Sequence, residues 1–149
     1  MNEPSPSHDA PDPAELAADL RVALARAVRQ IRQHRPGHII SDGQYSVLNR
    51  VACAGPQTPR ALAEFDHVQP PSMTRTIASL VQSGLLVRTP HPDDGRQVLV
   101  DLTDAGRAEV AETRGRRTAW LASRIADLRP DERVTLAQAV TILERMVTR

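Results

Sequence analysis

The stretch 70–107, PPSMTRTIASLVQSGLLVRTPHPDDGRQVLVDLTDAGR, decides the fold. It opens as a helix: Met73, Ile77, Leu80 and Val81 recur at three- and four-residue steps, and Gly84 supplies a stop. Leu85, Leu86 and Val87 begin a strand that ends at Arg88 and Thr89, and Pro90 and Pro92 keep it from extending. Asp93-Asp94-Gly95 is a turn signal, because short acceptor side chains fold back onto the main chain and glycine bends freely. The chain returns through Val98, Val100 and Leu102, which alternate with Leu99 and Asp101 in period two. Thr103-Asp104 caps a fresh helix.

A helix followed at once by a charged two-stranded hairpin predicts a winged helix-turn-helix. The helix is sized for a DNA major groove, and an arginine at the hairpin tip reaches the neighbouring minor groove. The face opposite the apolar one, around Ser72, Arg75, Thr76 and Ser79, is small and polar, and no acid occurs from Pro70 to Ser83. Acids would repel phosphates, whereas short hydroxyls let the backbone come close. Arg75, near the front of the helix, suits either a two-pronged contact to guanine or a phosphate clamp. Thr74 and Thr76 read as phosphate contacts rather than base readers. Arg96 suits the negative potential of a narrow minor groove, and Asp94 makes sense there only if it holds Arg96 in position. Arg88 is placed either to touch phosphate or to pair with Asp101 across the hairpin.

Outward from this stretch, a helical period starts at Pro13: Leu16, Leu20, Leu24, Val28 and Ile31 form a stripe that Pro36-Gly37 ends. A second helix runs from Asp42, as N-cap, through Tyr45, Val47, Leu48 and Val51 to Gly55-Pro56. Thr58-Pro59 opens a short third helix with Ala61, Leu62 and Phe65 inward, and Asp66 to Gln69 make the turn. Past Thr103 a long helix carries Val110, Trp120, Leu121, Ile125 and Leu128, its stripe interrupted by RGRR at 114–117. Pro130-Asp131-Glu132 opens the last helix, with Val134, Ala137, Val140, Leu143 and Val147 inward. The expected class is mainly α, with about six helices and one β-hairpin wing. Its expected parts are a mobile, acidic, Pro-rich tail over 1–13, a dimerisation helix over 14–36, a DNA-binding region over 42–104, and C-terminal dimerisation helices over 105–149.

Composition agrees. The chain has 149 residues and a net charge of +1, but residues 1–20 hold five acids and no arginine, so the remainder carries 19 arginines against 13 acids, a net +6. There is no lysine, and arginine makes the bidentate contacts to phosphate and guanine that lysine cannot. No apolar run approaches the roughly 20 residues of a membrane span. The acidic, Pro-rich start is unlike a signal peptide, and a single cysteine points to the cytoplasm.

Three pieces, PPSMTRTIASLVQSGLLVR, HPDDGR and VLVDLTDAGR, in this order and at these spacings, resemble the MarR family of bacterial transcription regulators over about residues 14–149. The resemblance implies a homodimer held by the first and the last two helices, and a sequence-specific DNA-binding regulator. It implies a repressor that binds a near-palindromic double-stranded operator. By that likeness Pro71, Ser72, Thr74 and Arg75 form the DNA-facing start of the recognition helix, Arg96 is the wing arginine and Asp94 its orienting carboxylate. Gly95 departs from the many relatives that carry a second arginine there. The family often binds small lipophilic or phenolic effectors. With Phe65, Trp120 and Tyr45 as the only aromatics, such a pocket would be sparsely lined, and no effector residue is named.

Other classes fit less well. Asp93 and Asp94 are neighbours on a hairpin tip, not carboxylates facing each other across a cleft. His34 and His38 have helical spacing, but Pro36-Gly37 lies between them. No zinc pattern, phosphate loop or nucleophile elbow is present, so neither enzyme, metal nor cofactor is expected. Two alternatives stay open: a redox-responsive regulator acting through Cys53, and a winged-helix adaptor for protein contact. Cys53, among Val51, Ala52 and Ala54, reads as a buried, inert thiol.

Overall fold

Asp12 starts the first helix. Its Oδ2 accepts the N–H groups of Ala14 at 3.1 Å and Glu15 at 3.2 Å, so a residue of the expected tail caps α1 (Pro13–Gln33). The computed structural model describes residues 10–33, 40–92 and 94–148; the Pro36-Gly37 stop, His34, His38, Asp93 and most of the tail lie outside them. The chain divides into two compact units, 1–34 and 35–149. The first holds α1, whose stripe residues Leu16, Leu24 and Val28 are exposed.

In the second unit Ser41, not Asp42, caps α2 (Asp42–Ala54). Ser41 Oγ accepts the Gln44 N–H, and Gln44 Oε1 accepts the Ser41 N–H, so two orphan donors are satisfied by one reciprocal pair. Thr58 Oγ1 accepts the Ala61 N–H to open α3 (Pro59–Phe65), with proline at its first position. His67, at φ 52°, takes the left-handed conformation that turns the chain from α3 into α4 (Pro70–Gln82). Gly84, at φ +73°, makes the second sharp exit, into β1 (Leu86–Pro90). β1 pairs antiparallel with β2 (Val98–Leu102) from Leu86↔Leu102 to Pro90↔Val98. Pro90 is thus the last strand residue, not the residue beyond it. Gln57 adds a one-residue third edge, exchanging both main-chain hydrogen bonds with Val100.

The core is made where these pieces meet. Val47, Leu48 and Val51 of α2, Leu62 of α3, and Met73, Ile77 and Leu80 of α4 are buried with Leu86, Val100 and Leu102 of the hairpin. At about 1.5–3 kcal/mol for each large side chain removed from water, this cluster is the main force holding the recognition element. Phe65, read as inward, is 50% exposed, with the Arg50 guanidinium 4.2 Å above its ring. Helix α3 is seven residues long; Leu62 and Ala63 are buried in the core, and Phe65, its last residue, is not.

Helix α5 (Asp104–Ala126) begins against the wing. Thr103 Oγ1 donates to the Gly84 carbonyl at 2.6 Å and accepts the Gly106 N–H at 3.0 Å. A Cβ on Gly106 would lie 2.1 Å from the Leu85 carbonyl oxygen, so only glycine lets the helix approach this closely. The RGRR interruption is where α5 runs along α2. Arg114 donates to Asn49 Oδ1 at 3.2 Å, and Arg116 pairs with Glu112 and Glu109 along its own helix. Among the described residues helix α6 (Pro130–Val147) has no fully buried side chain: Val134, Val140 and Val147, read as inward, are exposed, as are Leu136, Ile142 and Met146, while Leu143 is half-buried.

Candidate nucleic-acid interface

Helix α4 has no side-chain cap. Pro70 and Pro71 occupy its first positions without N–H groups, and the Ser72 and Met73 N–H groups turn back to the Gln69 carbonyl at 2.9 and 3.2 Å. The first turn contains no acid. Because Met73, Ile77 and Leu80 are clamped in the core, the 3.6-residue period sends Ser72, Arg75 and Ser79 outward. Pro71, Ser72, Thr74 and Arg75 are exposed, and Thr76 is half-buried.

Three of the hydroxyls on α4 are already engaged, those of Thr74, Thr76 and Ser79. Thr74 Oγ1 donates to the Pro70 carbonyl at 2.9 Å and Thr76 Oγ1 to the Ser72 carbonyl at 3.2 Å. A phosphate must compete with these bonds or accept the main chain's approach. Ser79 Oγ accepts from Gln44 Nε2 at 3.1 Å, which ties the far end of the face to α2. Arg75 Nε donates to the Pro71 carbonyl at 3.4 Å, a long bond, and the residue is exposed. Thr74 also lines a shallow groove between α3 and α4 with Arg60, His67 and Gln69.

At the wing, Asp94 Oδ1 accepts the Arg96 N–H at 3.0 Å and Oδ2 accepts from Gln97 Nε2 at 2.9 Å. The Arg96 and Gln97 bonds, and to a lesser degree the charge of His91, hold this carboxyl below its ordinary pKa. Gln97 further donates its N–H to the Asp94 carbonyl at 2.9 Å, and its own carbonyl accepts from His91 at 3.1 Å, so the tip is closed by four bonds. The Arg96 side chain is exposed. Arg88 is exposed too, and Asp101 lies opposite Val87 rather than Arg88. The Asp101 carboxylate meets Arg107 at 4.0 Å.

Cys53 is exposed, not buried. It falls on the side of α2 turned towards α5, with Arg114 Nη2 3.9 Å from its sulfur. Sequence reasoning missed Gln44, Gln97 and Arg117 as well. The S-x-x-Q spacing of 41–44 signals the cap, but nothing in it signals the bond to Ser79.

A helix–turn–helix whose second helix shows an acid-free polar face, followed by an arginine-tipped hairpin, is a winged helix-turn-helix DNA-binding protein. A model of the MarR family matches residues 40–98. An uncharacterised HTH-type transcriptional regulator of Mycobacterium bovis is 45% identical over 134 residues, which span 90% of this chain and 94% of that protein. The structure of wild-type MarR from Escherichia coli superposes with a TM-score of 0.74 at 26% identity, covering 89% of this chain and 96% of that one. A structure of the multiple antibiotic resistance repressor MarR gives 0.78 at 25% identity, covering 89% and 94%. The chain belongs to the MarR family and is a DNA-binding transcriptional regulator.

Proposed function

We propose that the protein is a homodimeric repressor that reads a near-palindromic operator through Pro71, Ser72, Thr74, Arg75, Thr76 and Ser79 of α4, with Arg96 of the wing in the flanking minor groove. The observation that carries this is the exposed, acid-free face of α4, from which Ser72 and Arg75 project while the opposite face is locked in the core. An adaptor for protein contact would need an apolar or acidic face there, and α4 has neither. Dimerisation is supported by α6, where Val134, Leu136, Val140, Ile142, Met146 and Val147 are exposed. By this reading 14–36 and 105–149 hold the dimer and 42–104 reads DNA, and a twofold axis would set the recognition helices about 34 Å apart. Repression is supported by the relative named a repressor. Relief by a small lipophilic or phenolic ligand, a cytoplasmic location and the lack of catalysis complete the proposal. No described helix is long and apolar enough to cross a membrane.

Selecting DNA from a random pool with the purified protein tests it. Two inverted half-sites one helical turn apart are expected, and a pool with no enriched sequence would remove the operator reading. The exposure of Cys53 favours one second reading, control by oxidation of its thiol. Peroxide that releases the selected DNA from the protein, but not from Cys53→Ser, would establish it.

A further inference from the structure

The first turn of α2 touches both the recognition helix and α5. Gln44 is held at each end of its amide: Oε1 accepts the Ser41 N–H at 2.6 Å, and Nε2 donates to Ser79 Oγ at 3.1 Å. Two residues earlier, the Asp42 carboxylate stands 3.6 Å from Arg117 Nη2 of α5. One residue later, the Tyr45 ring lies 4.1 Å beneath the Arg117 guanidinium, and Tyr45 itself is only 8% exposed. Positions 42, 44 and 45 therefore join α4 to α5 through one rigid, doubly capped turn.

Arg117 is unusual in how it is held. Its side chain is 19% exposed, and Nε and Nη2 find no hydrogen-bond acceptor among the described residues. A guanidinium withdrawn from water is costly unless neighbouring charge and aromatic surface compensate. Here the carboxylate and the ring face do so, and both belong to α2. A shift of α5 along α2 would separate Arg117 from both at once, so the arrangement favours one relation of the two helices. The Gln44 bond carries that relation on to α4, where base reading requires side chains held within about 0.5 Å of their working positions.

We propose that the first turn of α2 is the junction that fixes the recognition helix relative to α5, with Gln44 and Arg117 as positioning residues for operator reading. The inference rests on α4 being the recognition helix. Gln44 acts through Ser79, and Arg117 acts through the turn that holds Gln44.

The test is a mutant cycle on the operator selected by the wild-type protein, with non-specific DNA and thermal unfolding measured alongside. Gln44→Ala and Arg117→Met should each weaken operator binding by about three- to tenfold, leaving non-specific binding and the salt slope unchanged. The double variant should bind no more weakly than its worse single variant, because the changes break one chain of contacts. Arg117→Lys, which keeps the charge opposite Asp42, should recover part of the loss. Should Gln44→Ala unfold, Arg117→Met, which leaves the Ser41–Gln44 cap untouched, carries the test by the same comparison of operator with non-specific DNA. Fold-changes that multiply in the double variant, or equal losses on non-specific DNA, overturn the junction. Arg75→Ala in the same series separates the two readings. If it abolishes operator binding while the cycle is additive, the junction alone falls; if it changes nothing, the recognition helix falls and the junction with it.

Discussion

The Asp94 carboxylate meets Arg96 through the main chain: Oδ1 accepts the Arg96 N–H at 3.0 Å, while the arginine side chain stays exposed. The carboxylate thus shapes the turn from which the guanidinium projects without neutralising it. The two oxygens of this acid at the hairpin tip are engaged by Arg96 and Gln97.

Because these bonds favour the ionised form, the folded pKa of Asp94 is lowered. The sign follows directly: its contribution to the wing is present above the ordinary carboxylate range and lost as pH falls through the lowered value. The wing should therefore keep its form across neutral pH. An NMR titration of the Arg96 amide should show its transition only in acid. A midpoint at or above that of an ordinary aspartate would contradict the bond.

Arg75→Ala should abolish specific operator binding while leaving the oligomer intact, because one bidentate base contact is worth about 1–3 kcal/mol at each of two half-sites. Mobility shifts and sedimentation measured together check both halves. Unaltered affinity, or monomers, would contradict them.

Arg96→Ala should weaken binding less than Arg75→Ala and make it less salt-dependent, with the slope reduced by about one per lost contact. A salt series of binding isotherms reads this. An unchanged slope and affinity would leave Arg96 as a solvated hairpin charge.

Gly106→Ala should destabilise the fold by about 1–3 kcal/mol or more, since the new methyl cannot share space with the Leu85 carbonyl. The obstacle is main chain, 2.1 Å from the added carbon, so a change of rotamer cannot relieve it. Urea unfolding of the variant checks the magnitude, and wild-type stability would contradict the close approach.

Val140→Asp places a charge on the apolar surface of α6 and should shift the protein to monomers, with operator affinity falling accordingly. Sedimentation equilibrium decides it. A variant that stays dimeric would move the interface elsewhere.

The helices, the hairpin and the turn residues were legible because each is written in local chemistry: apolar steps of three and four, period-two alternation, Thr58-Pro59, Gly84 and Thr103. The core face of α4 was legible for the same reason, and Met73, Ile77 and Leu80 are buried as their spacing requires. Phe65 and Cys53 were misread. Cys53 has apolar neighbours and Phe65 falls three residues after the buried Leu62, but burial depends on what packs opposite, and both residues are exposed.

The sequence by itself determined which segments fold and which side of each is apolar, since both follow from interactions within a few residues. Only the tertiary structure decided that Gln44 reaches Ser79, that Asp42 and Tyr45 receive Arg117, and that Asp101 turns to Arg107 instead of Arg88. Those pairings join residues of different elements, and their geometry is set by how the elements pack around Leu48, Ile77 and Val100. No local spacing encodes that packing, because it is a property of the assembled core.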